Sequence, residues 1–140
     1  MGTLMQGMSR EHPNATLLKR GYDAFGKGDM ETLRSQVFDA NIVWHQIGDN
    51  RVSGDYRGAE QMLALFGNIF QLTGGTFRVG LKEIVGTDDL VFGIGVSNGQ
   101  REGKSVEDEP YCHVARVRDG KMVESWILNL NIDRANEFWS

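Results

Sequence analysis

Two histidines, His45 and His113, are the side chains in this 140-residue sequence best suited to moving a proton. A histidine with a pKa near ~6.5 accepts and returns a proton at neutral pH. In the strand predicted over Ile42–Ile47, alternation places His45 on an apolar face and Trp44 on the opposite face. One imidazole on an apolar face is typical of a pocket wall and equally of a hydrogen-bonded core histidine, so both interpretations stay open.

Three further side chains could orient an oxygen atom of a bound molecule. Tyr22 shares a predicted helix face with Leu18 and Phe25, and a buried phenol needs a polar partner. Asn129 and Asn131 are two residues apart on the last predicted strand and therefore share a face. Because asparagine is depleted in strands, the pair predicts polar partners or a ligand, with a hydrogen-bonded strand end near the surface as the alternative.

The strand predicted over Tyr111–Arg118 divides its side chains between two faces. Tyr111 and His113 share one face, whereas Cys112 and Arg116 share the other. Only one of these faces can line a cavity. His113 is then either a second acid or base, or a histidine of the core or of an interface.

Composition excludes several classes of protein. The sequence has 40% apolar and 24% charged residues, as folded chains do, and no apolar run of the ~18 residues that a membrane span needs. A net charge of −4 with scattered basic residues argues against a nucleic-acid partner. The single cysteine excludes an internal disulfide, and residues 1–8 lack the pattern of a secretory signal, which together favour a reducing, cytoplasmic compartment.

No metal and no nucleotide cofactor is predicted. His12, His45 and His113 do not have the sequence spacing of metal ligands, and the sequence contains no glycine-rich phosphate loop of the Walker or Rossmann type. The acidic residues Asp49 and Glu107–Glu109 are interpreted as solvated loop charges.

The hydrophobic pattern changes once, from helical to alternating, which predicts one α+β domain over residues 14–140 after a flexible segment of residues 1–13. Helices gathered before an antiparallel meander are expected to pack on one face of its sheet. Gly80, Gly93 and Gly95 lie inside predicted strands, where glycine favours a bulge or a bend. We therefore expect a strongly curved sheet that leaves a pocket beneath the helices.

Caps and turns give the predicted boundaries of the elements. Helices are expected after caps at Asn14 and Asp29 and from Gly58, and the Asp119-Gly120 pair predicts a tight hairpin turn. The predicted strands are Ile42–Ile47, Val52–Tyr56, Phe77–Val85, Leu90–Ser97, Tyr111–Arg118 and Lys121–Asn131.

Four short motifs carry a resemblance to a known family. They are Tyr22-Asp-Ala-Phe-Gly-Lys-Gly-Asp29, Val43-Trp-His45-Gln-Ile-Gly48, Tyr56-Arg-Gly58 at the start of a helix, and Arg118-Asp-Gly-Lys-Met-Val-Glu-Ser-Trp126. Over Asn14 to Trp139 the sequence resembles the SnoaL-like and ketosteroid-isomerase-like branch of the nuclear-transport-factor-two superfamily. The resemblance implies a cone-shaped α+β barrel, in which a bent, mixed and mainly antiparallel sheet wraps three N-terminal helices around a deep apolar pocket. Function varies among proteins that share this fold.

The resemblance also implies roles for individual residues. Tyr22 matches a tyrosine that donates a hydrogen bond to a developing oxyanion, and His45 stands where the isomerases have a carboxylate base. His113 matches a histidine that polyketide cyclases and dehydratases of this fold use as an acid or base. Cys112 aligns with the carboxylic acid that completes the isomerase oxyanion hole, so a steroid isomerase of the known type is disfavoured.

The leading hypothesis is an enzyme without a cofactor that acts by proton transfer on an apolar, oxygenated small molecule of polyketide or terpenoid type, as a cyclase, isomerase or dehydratase. Asn129 and Asn131 would orient substrate oxygens. Aromatic side chains expected in the pocket walls are Phe25, Trp44, Phe66, Phe70, Phe92 and Trp126. The alternative is a binding or accessory protein with the same fold and no catalysis.

A homodimer is expected from the family resemblance, because one apolar outer face of the sheet has to be covered. The candidate residues for this outer face are Val114, Trp126, Leu128 and Leu130.

Overall fold

Helix α1 shows how local signals set the ends of an element. The computed structural model describes residues 9–140, and α1 spans Pro13–Lys27. Proline suits the first helical turn because its missing N–H is not needed there. The cap is His12, whose Nδ1 accepts from the backbone N–H of Asn14 at 3.0 Å, so the predicted cap at Asn14 is wrong. Gly28 ends the helix in the left-handed conformation, at φ 70°.

The described residues contain three further helices, all shorter than α1. Helix α2 is Met30–Thr32, capped by Asp29 as predicted, and it continues as the π-helical turn Leu33–Val37. Helix α3, Ala59–Leu72, begins after Gly58, which confirms its predicted start. A fourth helix that the sequence did not predict, α4, spans Ile132–Phe138.

One sheet contains all six strands. They are β1 (Phe38–Gln46), β2 (Gly54–Arg57), β3 (Arg78–Gly86), β4 (Leu90–Arg101), β5 (Lys104–Arg118) and β6 (Lys121–Asn129). Their order is β2-β1-β6-β5-β4-β3, in which β1 and β6 pair in parallel and all other neighbours are antiparallel. The mixed α+β architecture is thus confirmed. The predicted strong curvature of the sheet is not confirmed. The grouping of three helices ahead of the sheet is not confirmed either, because β1 and β2 precede α3.

Helices α1 and α3 cover one face of the sheet, which we call the inner face. Phe66 of α3 contacts Trp44 of β1 edge-on, with ring centroids 5.2 Å apart, and Phe25 of α1 lies 5.0 Å from Phe66. Because strand side chains alternate, this packing fixes which residues of every paired strand face the helices. The inner face therefore carries Trp44, Tyr111 and His113.

A β-bulge in β5 changes which side chains turn inward. Val106 is buried, Glu107 and Asp108 are both exposed, and Glu109 is buried, so two successive residues lie outside where alternation allows one. Asp108 has φ 47°, and its backbone N–H donates to Asn98 Oδ1 at 3.0 Å. Bulges of this kind re-aim side chains near functional sites.

The ends of the domain are tied to the sheet and helices. Ser9 and Gly86 exchange backbone hydrogen bonds of 3.0 and 2.8 Å, so the described part of the predicted flexible segment pairs with β3. The rest of that segment lies outside the described residues. The predicted hairpin turn at Asp119-Gly120 is confirmed, with φ values of 52° and 75°. Within residues 9–140, no helix combines the length and apolar character needed to cross a membrane.

Candidate functional site

A cavity of about 100 Å³ lies between the inner face of the sheet and the helices. Most of its lining is apolar, and the aromatic residues in it are Tyr22, Phe25, Phe38, Trp44, Phe66, Phe77, Tyr111, Phe138 and Trp139. Cavities of this order hold a single benzene-sized ring. The unpredicted helix α4 contributes Phe138 and adjoins Trp139, and therefore forms part of the wall.

A chain of hydrogen bonds crosses the cavity wall from helix to sheet. Tyr111 Oη donates to Tyr22 Oη at 2.8 Å, and Tyr22 Oη lies 3.1 Å from His113 Nδ1. On the far side of the ring, His113 Nε2 lies 3.2 Å from Oγ of the fully buried Ser125. A neutral imidazole satisfies both contacts when Nδ1–H donates to Tyr22 and Nε2 accepts from Ser125, and this tautomer leaves the Tyr22 hydrogen free for a molecule in the cavity. The structure thus brings Tyr22 and His113 together.

Burial fixes the charge states of these three hydrogen-bonded side chains, Tyr22, Tyr111 and His113. Burial lowers the pKa of His113 to about 3, so the imidazole is neutral at pH 7. Burial, and secondarily the neighbouring Tyr111, raises the pKa of Tyr22 well above its usual value. The pKa of Tyr111 rises to about 12, mainly through burial and against the opposing effect of the hydrogen bond with Tyr22. Both phenols therefore keep their protons and act as hydrogen-bond donors.

Glycine in β4 makes room for Tyr111. A Cβ built at Gly95 would lie 2.9 Å from Tyr111 Oη and 2.6 Å from the Gly80 carbonyl oxygen, closer than real Cβ contacts. Gly93 is similarly crowded by Leu81 and Leu18, at 3.0 and 3.3 Å. These two strand glycines are explained by close approach of neighbouring groups.

The predicted asparagine pair is divided by the end of the last strand. Asn129 is the final residue of β6, but Asn131 lies beyond it, where its Oδ1 accepts from the backbone N–H of Arg134 at 3.1 Å and caps α4. Placing both on one strand face was wrong because the chain turns into a helix at this point. Both side chains nevertheless contribute to the cavity lining, with Asn131 exposed at its rim.

His45 lies outside the cavity. It faces the opposite, outer side of the sheet from Trp44, with its ring stacked on Trp126 at 5.3 Å. Nδ1 is 2.7 Å from Asp55 and Nε2 is 2.8 Å from Glu124. The interpretation of His45 as a base in the pocket wall is therefore wrong, since strand alternation turned His45 outward once Trp44 packed inward. Burial opposes protonation of His45, but the hydrogen bonds to both carboxylates outweigh it and raise its pKa.

Several of the aromatic residues expected in the pocket walls lie elsewhere. Phe25, Trp44 and Phe66 line the cavity, whereas Phe70 stacks behind Phe25 with centroids 4.9 Å apart. Trp126 and Phe92 lie on the outer face, and Phe92 is 40% exposed. Because side chains alternate along a strand, the face on which one residue lies also decides where Phe92, Trp44 and Trp126 lie.

Glu109 is a cavity residue that the sequence reasoning missed. It was interpreted as a loop charge, but it belongs to β5, lines the cavity and is paired with Arg134 of α4, with Oε1 2.6 Å from Nη1. Its spacing of two and four residues from Tyr111 and His113 was the available signal. Tyr111 itself was placed on the face of His113 but not assigned a role. Within residues 9–140, no group of three His, Cys, Asp or Glu side chains is arranged to hold a metal ion.

A family model described as a SnoaL-like domain matches residues 18–125. The structure is similar to that of Bal32a from a soil-derived mobile gene cassette, at 35% identity and TM-score 0.88 over 94% of this chain and 100% of that one. IdmH of Streptomyces antibioticus, for which a polyketide cyclase function has been suggested, is 26% identical with TM-score 0.69 over 89% of this chain and 96% of that one. An uncharacterized protein of Mycobacterium tuberculosis is 25% identical over 89% of this chain and 94% of its own length.

Proposed function

Since the chain belongs to the SnoaL-like domain family, we propose that it is an enzyme that catalyses proton transfer on a small, apolar, oxygenated molecule without a cofactor. The observation that carries this proposal is the pair of protonated phenols, Tyr22 and Tyr111, 2.8 Å apart in a largely aromatic cavity. Cyclisation, isomerisation and dehydration of a ketone or enol all pass through an oxyanion that such donors stabilise.

The phenol pair gains its catalytic value from its surroundings. Hydrogen-bond donors held in a site that excludes water stabilise developing charge far better than solvated donors do, and losing one typically costs about 10²–10³-fold in rate. The Nδ1–H of His113 donates to Tyr22 Oη and holds that hydroxyl in place. Ser125, the last side chain in this series of hydrogen bonds, is fully buried. The series therefore gives a proton no path to solvent. We assign His113 as a positioning residue for Tyr22.

The substrate class follows from cavity size and lining. A volume of about 100 Å³ accepts one ring of a ligand. The aromatic walls favour a flat, unsaturated ring, and the phenols favour a carbonyl or enol oxygen on it. The similarity to IdmH makes a polyketide-derived molecule the natural candidate.

A second candidate function, binding without turnover, is favoured by the location of the histidines. His45 lies on the outer face, and His113 is neutral with a pKa of about 3. A binding protein needs only the cavity and the phenol donors.

Isotope exchange separates the two functions. The probe is 2-indanone, a compact aromatic ketone with exchangeable protons next to its carbonyl. We expect the wild-type protein to bind it, which quenches the fluorescence of Trp44 in the cavity wall, and to accelerate deuterium uptake at the α-carbons, followed by proton NMR in heavy water. Binding without acceleration over the buffer rate would support the binding function and overturn the catalytic one.

We also propose a homodimer formed through the outer face of the sheet. Phe92, Val114 and Trp126 lie side by side across β4, β5 and β6, and Ile94, Cys112 and Leu128 form the next row. Phe92, Ile94 and Leu128 are each about 40% exposed. Adjacent rows of exposed apolar side chains form a patch of the kind that mediates association.

A charged residue in this patch should separate the subunits. For Leu128→Glu we expect the mass measured by light scattering after gel filtration to fall from dimer to monomer, because a carboxylate would be buried without a partner. Thr16→Glu, at an exposed position of α1 on the other side of the sheet, is the control and should stay dimeric. A wild-type protein that is monomeric at micromolar concentration would refute the proposal.

A further inference from the structure

The carboxylate of Glu109 occupies an unusual position for a charged group. Its side chain is only 11% exposed and lines the cavity, whereas its partner Arg134 is 59% exposed at the protein surface. Oε1 is bound to Arg134 Nη1 at 2.6 Å, and within residues 9–140 no hydrogen-bond partner is found for Oε2. One carboxylate oxygen therefore stays available to a molecule in the cavity.

Two structural devices hold Glu109 in this position. The bulge at Glu107 and Asp108 turns Glu109 to the inner face, at the cost of a left-handed residue at Asp108. Helix α4 supplies Arg134, which anchors the carboxylate. Backbone strain that serves to aim one side chain into a cavity is typical of functional sites.

The other titratable groups that line the cavity do not accept protons at neutral pH. Among the described residues these are Tyr22, Tyr111 and His113. The two phenols remain protonated, and burial leaves His113 a weak base because its pKa is about 3. Glu109, paired with Arg134, is the one carboxylate among the described residues that line the cavity.

We propose that Glu109 is the catalytic base of the site and that Arg134 is its positioning residue. This inference rests on the proposed function. Glu109 Oε2 takes a proton from a carbon next to the substrate carbonyl; the C–H bond breaks, an O–H bond forms, and the electron pair moves onto the carbonyl oxygen. Tyr22 stabilises the resulting enolate by donating to its oxygen, and Tyr111 supports Tyr22 by donating to the Tyr22 hydroxyl. Returning the proton from Glu109 to another atom of the same molecule completes an isomerisation, so no further reactant is needed.

The spacing of the two groups suits this step. Glu109 and Tyr111 are two residues apart on the same strand face, which separates their backbones by roughly 7 Å. Both side chains line the cavity, so one bound molecule can lie between the carboxylate and the phenol pair. The substrate class is therefore a cyclic ketone or enol with an acidic C–H next to the oxygen-bearing carbon.

The test uses Glu109→Gln in the full-length protein with 2-indanone as probe. Replacing the carboxylate by an amide should lower the rate of deuterium uptake at least about 100-fold, the usual size of a general-base contribution, while binding measured by fluorescence is kept within about threefold. Glu107→Gln is the matched control, because it removes the same charge from an exposed residue of the same bulge. Its exchange rate should stay within about twofold of wild type.

The outcomes distinguish this inference from the function on which it rests. Wild-type exchange at the buffer rate would overturn the enzymatic function and the role of Glu109 with it. Wild-type acceleration that Glu109→Gln retains would overturn the role of Glu109 and leave the enzymatic function standing. Far-ultraviolet circular dichroism verifies that each variant is folded.

Arg134 offers a second measurement that does not remove the base. Arg134→Gln should lower kcat for deuterium uptake and leave the KM for 2-indanone within about threefold, because the carboxylate loses its anchor on α4 but stays in the cavity wall. Arg134→Lys, which keeps a cation at this position, should restore part of kcat. A variant Arg134→Gln that loses stability in urea but keeps the kcat of wild type would show a merely structural role and would refute the assignment of Arg134.

Discussion

Acidification from about pH 6.5 to 4.5 is expected to lower the free energy of unfolding by about 2–3 kcal/mol through His113 alone. The imidazole is buried, and its pKa falls to about 3 in the folded protein. Between that value and the unfolded pKa near ~6.5, the unfolded chain binds one proton that the folded chain does not. Stability therefore rises with pH by about 1.4 kcal/mol per unit across this window and gains nothing more from His113 above it.

Urea unfolding at several pH values measures this effect. His113→Gln keeps a side chain that can donate to Tyr22 and accept from Ser125 but cannot titrate, so its stability should change much less over the same range. The difference in slope between wild type and variant isolates His113 from the carboxylates, which titrate at lower pH. An equal acid slope in both proteins would mean that His113 does not titrate as a buried neutral group.

The control is His45, whose effect has the opposite sign. Two carboxylates raise the pKa of His45 despite its burial, so its contribution to stability is complete below about pH 6.5 and is lost as pH rises through the folded value. His45→Gln should therefore keep the acid slope of wild type and alter the dependence only above about pH 6.5. The two histidines of one fold thus titrate in separate windows because one faces the cavity and the other the outer surface.

The second large effect is expected from Tyr22→Phe. Removing this hydroxyl deletes a donor to the developing oxyanion and should lower the exchange rate of 2-indanone by about 10²–10³-fold. It also leaves the Nδ1–H of His113 and the hydroxyl of Tyr111 without their acceptor in a buried site. Unsatisfied buried groups of this kind cost about 1–3 kcal/mol, which urea unfolding at pH 7 would detect.

Tyr56→Phe is the matched control for this change. Tyr56 Oη donates to the Val52 carbonyl at 2.8 Å and does not belong to the cavity lining, so the variant loses a phenol hydroxyl and its hydrogen bond without touching the site. We expect it to lose stability and to retain the exchange rate. If Tyr22→Phe exchanged as fast as Tyr56→Phe, the phenol pair would have no part in stabilising the oxyanion.

The tyrosine and histidine predictions show how far local patterns reach. Periodicity placed Tyr22 on the buried face of α1, and alternation placed Tyr111 and His113 on one face of β5. Both placements follow from repeats within a single element, of 3.6 residues in a helix and two in a strand. Which of two strand faces meets the helices is set by packing between distant elements, so the sequence left the environments of His45 and His113 open.

Residues at irregular positions were the hardest to predict. Glu109 faces the cavity because of a bulge that depends on Asn98, a residue of the neighbouring strand. Asn131 caps a helix because the chain leaves the sheet after Asn129. Bulges and short terminal helices are stabilised by contacts across the fold and leave a weak periodic signal.

The sequence by itself determined the mixed α+β architecture, nearly all of its elements and the facing of residues within each, because caps, turns and hydrophobic repeats act over a few neighbouring residues. The family resemblance, too, was visible in four short motifs. Only the tertiary structure decided which faces enclose the cavity. Packing Trp44 of β1 against Phe66 of α3 turned His45 outward. The titratable groups that line the cavity are therefore a phenol pair, a neutral histidine and a carboxylate, and His45 is not among them.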